Sequence, residues 1–98
     1  MVVYYINSYD ITDMEEYANY AAPVYLLLQK YGAEVLASDL HAIAVEGVAK
    51  TMNAIIRFPS EEAALACYAD PEYQPVKQIR LRSTTNCMMV LVKEFVRQ

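Results

Sequence analysis

The sequence has few of the residues that hold metals or build disulfide frameworks. It contains two cysteines, Cys67 and Cys87, and a single histidine. Two cysteines form one pair at most, which is too few for the framework of a small secreted domain. One histidine and two distant cysteines also lack the spacing of metal ligands. We therefore expect both thiols to be free and to pack as small hydrophobes, in a reducing cytoplasm, with no metal or other cofactor.

Positive charge is also scarce. The chain has 8 lysines and arginines against 12 acidic residues, a formal net charge of −4. Phosphate binding needs clustered cations, and the one loose group, Lys77, Arg80 and Arg82, is more typical of a solvated helix end. No apolar run approaches the ~20 residues of a membrane span, and the first residues lack the basic segment of a signal peptide. These absences argue against a nucleic-acid partner and against a membrane partner.

What the sequence has in abundance is apolar side chains. Hydrophobic residues make up 56% of its 98 residues, and we expect residues 1–98 to form a single domain. A chain of this length buries only about 60–65% of the surface that its unfolded form exposes. We therefore expect part of the apolar surface to be covered by a partner.

Four runs rich in Val, Ile, Tyr and Met predict β-strands. They lie at residues 2–9, 33–38, 51–58 and 87–95. A further extended run is expected over residues 42–46. With the helices below, the element order is β-α-β-β-α-β, which predicts a ferredoxin-like α+β fold with a four-stranded antiparallel sheet and helices on one face.

The helix signals are equally specific. A first helix is expected to begin at a Thr12 N-cap, to kink or restart at Pro23, and to end at Gly32 in a left-handed conformation. A second helix begins at Ser60, whose hydroxyl suits an N-cap. A short helix should follow the next turn and run to Leu81.

The strands are apolar on both faces, and this favours a homodimer. A sheet with helices on one face normally shows polar residues at alternate positions of the other. The first strand instead carries Tyr4 and Ile6 on one face and Val3 and Tyr5 on the other. Leaving several such side chains in water forgoes about 1.5–3 kcal/mol each. We expect two copies to stack sheet face to sheet face; the alternative is a monomer whose tyrosines tolerate partial wetting.

Several segments match one known family. The most specific runs from Tyr68 to Gln74 and is followed at a helical interval by Arg80. Weaker matches are the Tyr-rich first strand, residues 20–23, Gly32 with residues 34–36, residues 46–47 and residues 57–63. On these segments the sequence resembles the family called domain of unknown function 1330 (DUF1330), within the dimeric α/β-barrel superfamily.

The resemblance implies a βαββαβ monomer and a dimer whose two sheets form a barrel-like stack. It implies no reaction, because the family has no general assigned activity. Members of the wider superfamily include small monooxygenases, lactone isomerases and haem-degrading enzymes, and a shared fold is weak support for a shared function.

Two function hypotheses follow, with a third left open. The first is an uncharacterised homodimer that binds a small organic ligand, with Tyr20, Tyr68, Tyr73 and Arg57 as candidate ligand-binding residues. The three tyrosines lie in the family-like segments, and the charge of Arg57, on an apolar strand, needs a partner such as Glu46. The alternative is a cofactor-free enzyme, monooxygenase- or isomerase-like, acting on a small carbonyl, lactone or aromatic compound. The third class is a pure assembly or regulatory module.

The enzyme hypothesis has two candidate catalytic residues, His41 and Arg80. His41 is the only histidine, and histidine is the side chain that most often serves as a general base near neutral pH. Asp39, two residues earlier, is placed to orient it. A solvated loop histidine is the simpler interpretation. Arg80 suits a bidentate clamp on a carboxylate ligand. Pairing with Glu72 or Asp70 to hold a turn is the simpler interpretation there.

Overall fold

A computed structural model describes residues 1–97 as a four-stranded antiparallel sheet with its helices on one face. The strands are β1 (Val3–Ile11), β2 (Glu34–Asp39), β3 (Met52–Phe58) and β4 (Thr84–Lys93). The helices are α1 (Met14–Tyr17), α2 (Ala21–Lys30), α3 (Glu61–Ala69) and α4 (Tyr73–Ser83). The strand order is β2-β3-β1-β4. This is the predicted ferredoxin-like α+β fold.

The core lies between the helices and one face of the sheet. Val3 and Phe58 are opposite each other on β1 and β3, and each is 1% exposed. The ring of Tyr5 packs edge to face on Phe58, with 5.4 Å between centroids. Its hydroxyl donates a hydrogen bond to the carbonyl oxygen of Ala64 (3.1 Å). Because Ala64 is small and fully buried, α3 approaches the sheet closely at this point.

The first helical segment is divided upstream of Pro23. Pro23 lies in the first turn of α2, where a missing N–H removes no helical hydrogen bond. The predicted Thr12 N-cap is wrong, because the N–H of Thr12 still donates to the carbonyl oxygen of Ser83 (2.8 Å) in continuation of the sheet. The cap is Asp13, whose carboxylate accepts a hydrogen bond from the N–H of Glu16 (3.1 Å).

Two other predicted boundaries are confirmed and two are wrong. Gly32 follows α2 with φ +70°, and the hydroxyl of Ser60 accepts a hydrogen bond from the N–H of Ala63 (3.1 Å). Residues 42–46 form no strand, because no neighbouring strand pairs with them. The last strand begins earlier than predicted, since α4 runs directly into it and residues 84–85 already pair with β1. None of the helices in residues 1–97 is long and apolar enough to cross a membrane.

The face of the sheet opposite the helices is largely apolar and is not covered by any helix. We call it the open face; besides Ser8, Asn53 and Arg57 it carries Tyr4, Ile6, Ile55, Met88, Val90 and Val92. The last four of these side chains are 38–42% exposed. Apart from this face, the loop after β2 exposes Ile43, Val45 and Val48, each by 90% or more. The two apolar faces predicted from the alternation of the strands are therefore confirmed.

Candidate functional site

A cavity of about 440 Å³ lies between α2 and the helix-facing side of the sheet. Most of its wall is apolar, with Val24 and Leu28 contributed by α2 and Ala54 and Ile56 by β3. A smaller void of about 40 Å³ extends from it towards α3 and α4. The two spaces share five lining residues: Asn7, Tyr20, Val24, Leu28 and Ile56. An apolar space of this size, with a few polar groups in its wall, is typical of a small-molecule site.

Four tyrosine hydroxyls form two hydrogen-bonded pairs beside this cavity. The hydroxyl oxygens of Tyr9 and Tyr17 are 2.6 Å apart, and those of Tyr20 and Tyr73 are 2.9 Å apart. The rings of Tyr17 and Tyr20, 5.6 Å apart between centroids, join the two pairs. Tyr9, Tyr17 and Tyr20 line the larger cavity and Tyr73 lines the smaller void. Tyr9 and Tyr17 are eight positions apart, on β1 and at the end of α1, whereas Tyr20 and Tyr73 are 53 positions apart and meet because α2 packs beside α4.

Arg80 is buried next to these hydroxyls. Its side chain, on α4, is 3% exposed. Burial raises the pKa of Tyr9, Tyr17 and Tyr20, and the positive charge of Arg80 opposes that shift at each hydroxyl. The three hydroxyls therefore stay protonated at neutral pH and remain hydrogen-bond donors.

The hydrogen bonds of Arg80 leave its charge without an acidic partner. Nη1 donates to Sγ of Cys87 (3.0 Å), and Nε is buried with no hydrogen-bond partner. No ion pair within residues 1–97 involves Arg80. The simpler interpretation of Arg80, pairing with Glu72 or Asp70, is thus wrong. Glu72 is eight residues earlier, about 12 Å along the helix, and the carboxylate of Asp70 is occupied elsewhere.

Asp70 instead joins α2 to the turn before α4. Its carboxylate accepts hydrogen bonds from the hydroxyl of Tyr31 (2.5 Å), from Nζ of Lys30 (2.9 Å) and from the N–H of Glu72 (2.8 Å). These three donors hold the pKa of Asp70 down at about 2. The carboxylate therefore has a structural role, and it holds in position the helix that forms one wall of the cavity.

Asn7 is the second buried polar group without a partner. It lies on the helix-facing side of β1 and lines both the cavity and the void. Its Oδ1 is buried and accepts no hydrogen bond from residues 1–97. A buried acceptor left unpaired costs about 1–3 kcal/mol, so the position favours a molecule that brings a donor into the cavity.

Three of the predicted site residues come together here and a fourth lies at the edge. Tyr20 and Tyr73 share a hydrogen bond beside the cavity, and Arg80 is buried close to their hydroxyls but lines neither the cavity nor the void. The ring of Tyr68 is 5.5 Å from that of Tyr73 between centroids and lines the smaller void. Nζ of Lys77 lies 4.9 Å from the centroid of the Tyr68 ring, and Tyr68 is 38% exposed.

The other two predicted residues lie away from the cavity. Arg57 is on the open face of β3, opposite Tyr4 on one side and Glu34 on the other. It forms no ion pair within residues 1–97, and Glu46 is in the exposed loop. His41 is exposed in the same loop, and the carboxylate of Asp39 accepts a hydrogen bond from its backbone N–H (2.7 Å). Asp39 therefore holds a turn and does not orient the imidazole.

Sequence reasoning missed Asn7, Tyr9 and Tyr17. The first strand was predicted to end at residue 9, whereas β1 continues to Ile11. The available signal was its position: Asn7 alternates with Val3, Tyr5 and Tyr9 on the buried face, where a polar residue is unexpected.

A family comparison and structural comparisons place the chain among known proteins. The model of the family described as "Domain of unknown function (DUF1330)" matches residues 2–95. The chain belongs to the DUF1330 family. No protein of curated function matches its sequence.

Solved structures show the same fold at low sequence identity. A protein of unknown function from Rhodopseudomonas palustris superposes with a TM-score of 0.84 at 16% identity, over 98% of this chain and 84% of that one. SnoaB, a cofactor-independent oxygenase from Streptomyces nogalater, superposes with a TM-score of 0.71 at 14% identity, over 99% of this chain and 94% of that one. A dimeric ferredoxin-like protein of unknown function from Bacteroides fragilis superposes with a TM-score of 0.66 at 11% identity, over 95% of this chain and 96% of that one. These similarities show the fold of the chain.

Proposed function

We propose that this DUF1330 protein binds a small organic molecule in the cavity between α2 and the sheet. The observation that carries the proposal is the combination of apolar walls with the lining residue Asn7, whose buried Oδ1 has no hydrogen-bond partner within residues 1–97. A volume of about 440 Å³ falls in the range of sites that enclose small ligands. The walls suit a ring system of one or two rings, and the tyrosine hydroxyls suit one polar substituent.

A cavity-filling variant tests the proposal. Ala54→Phe places a ring inside the cavity, and Ala66→Phe places the same ring on the exposed surface of α3. In a thermal-shift screen of phenols and aromatic carboxylates, we expect hits to raise the melting temperature of the wild type and of Ala66→Phe by several degrees. A ligand at 100 times its dissociation constant adds about 2.7 kcal/mol of stability. Ala54→Phe should show no such rise.

Two results of that screen would refute the proposal. One is the absence of any stabilising compound for the wild type. The other is an undiminished shift in Ala54→Phe, which would place the binding elsewhere.

A second candidate function is a cofactor-free enzyme of the oxygenase or isomerase kind. It is favoured by the similarity in fold to SnoaB and by the position of a buried cation beside an apolar cavity. Such a cation stabilises the enolate or phenolate that forms when a small carbonyl or phenolic substrate loses a proton. Oxygen uptake with an easily deprotonated hydroquinone, at a rate that depends on the protein, distinguishes this function from binding alone.

We further propose that the homodimer forms through the open faces, so that each cavity stays on the outer, helix-covered side of its sheet. The proposal is supported by the exposed Ile55, Met88, Val90 and Val92 and by the apolar loop after β2. Two free cysteines, Cys67 and Cys87, agree with a reducing cytoplasmic location, which we propose on that basis.

A further inference from the structure

We infer that the molecule bound in this cavity is an organic anion, with a carboxylate or similar group, and that its negative charge lies at the tyrosine end of the cavity, next to Arg80. The inference deepens the proposed function and rests on it. It assigns the charge of the ligand, the end of the cavity where that charge lies, and the residues that recognise it.

The first argument is the isolation of the Arg80 charge. A guanidinium that is 3% exposed has lost nearly all contact with water, and a buried charge is stable in a protein only with a compensating partner. The described chain offers the sulfur of Cys87, which is a weak acceptor, and the uncharged hydroxyl of Tyr73, and it leaves Nε unpaired. An anion brought by a ligand supplies the missing charge.

The second argument is the contrast with Lys30 and Arg82, two exposed cations of the chain. Lys30 and Arg82 are 53% and 60% exposed at their side chains, yet both are paired with carboxylates, on Asp70 and Glu16. Arg82 is two residues from Arg80 on the same helix. The residue with the greatest need of a counter-charge is therefore without one, in a protein that has an excess of acidic residues.

The third argument is the number of free donors. Each pair of tyrosine hydroxyls holds two hydrogens, and one hydrogen closes the bond between the two oxygens. One O–H per pair remains available to a further acceptor. Two such donors and a nearby positive charge form a binding environment for an oxyanion, whereas a neutral ligand uses only the donors.

Two probes of the same shape test the inference: 2-naphthoate, which is charged, and 2-naphthamide, which is neutral. Isothermal titration calorimetry of the wild-type dimer at pH 7 should show at least about tenfold tighter binding of the naphthoate. Arg80→Gln should lose that preference, chiefly through weaker naphthoate binding. Arg82→Gln removes the same charge from the exposed side of α4 and should retain the preference.

The outcomes separate this inference from the proposed function. If the wild type binds both probes equally well, the inference is overturned and the cavity remains a ligand site. If the wild type binds neither probe, but neutral phenols stabilise the wild type and not Ala54→Phe, the inference is overturned and the proposed function stands. Should Arg80→Gln fail to fold, Arg80→Lys replaces it. This variant keeps the positive charge and should keep the preference for naphthoate. A folded Arg80→Lys protein without that preference would overturn the inference.

Discussion

Replacing Val90 by lysine is expected to turn the proposed homodimer into monomers. Val90 lies on the open face of β4, opposite Ile6 of β1, and is 41% exposed in the single subunit. A lysine there is tolerated by a monomer, because its ammonium group reaches water. In a dimer with two-fold symmetry each copy contributes the substitution, so two unpaired charges enter the interface. We expect the dissociation constant to rise at least about 100-fold, equivalent to ~2.7 kcal/mol.

Sedimentation velocity measures this effect directly. The wild type should sediment as a particle of twice the 11.1 kDa chain mass, and Val90→Lys should sediment as a single chain at the same concentration. Leu26→Lys is the matched control, since Leu26 is 67% exposed on α2, on the other side of the sheet. A wild type that sediments as a monomer, or a Val90→Lys protein as dimeric as the control, would refute pairing through the open faces.

Phe58→Ala is expected to have the largest effect on the stability of the fold. Phe58 is 1% exposed and contacts the edge of the Tyr5 ring at the point where α3 packs on the sheet. Truncating a fully buried phenylalanine typically costs about 3–5 kcal/mol, from lost burial and from the cavity left behind. A small domain has only about 5–15 kcal/mol of total stability. Much of the population should therefore unfold at moderate urea concentrations.

Urea unfolding followed by circular dichroism measures the change in the free energy of unfolding. The comparison variant is Leu65→Ala, because Leu65 is 53% exposed on α3 and should change the value by less than ~0.5 kcal/mol. A Phe58→Ala protein that unfolds at the same urea midpoint as Leu65→Ala would show that the core does not lie where the structure has it.

The element order and the two apolar faces were predictable because each rests on local periodicity. Alternating apolar residues in β1 and β4 report which side chains share a face, whatever the rest of the chain does. The failure at residues 42–46 has a physical reason as well. The apolar run there, with Ile43 and Val45, is typical of a strand, but a strand also needs a neighbour with which to exchange hydrogen bonds, and none pairs with this loop.

The site was only partly predictable, because its polar groups depend on how α4 docks on the sheet. Arg80 was expected to hold a turn at the surface, as most helix-end arginines do. Its burial arises because α4 places it over the start of β4, where its nearest hydrogen-bond partner is Cys87. Nothing in the spacing of Arg80 from Asp70 or Glu72 reveals that docking. The pairing of Tyr20 with Tyr73, 53 positions apart, is equally invisible in the sequence.

The two faces of the sheet thus have different roles in our account: the open face joins two subunits, and the helix-covered face holds an organic anion. Adjacent residues of β3 report on each face separately. Ile56 lines the cavity, whereas Ile55 points to the open face.

The most direct test is therefore a methyl NMR titration of the isotopically labelled wild type with 2-naphthoate. Our account predicts large shifts for the methyl signals of Ile56, Val24 and Leu28, and unchanged signals for Ile55 and Val90. Shifts concentrated on Ile55 and Val90, with Ile56 unaffected, would contradict it.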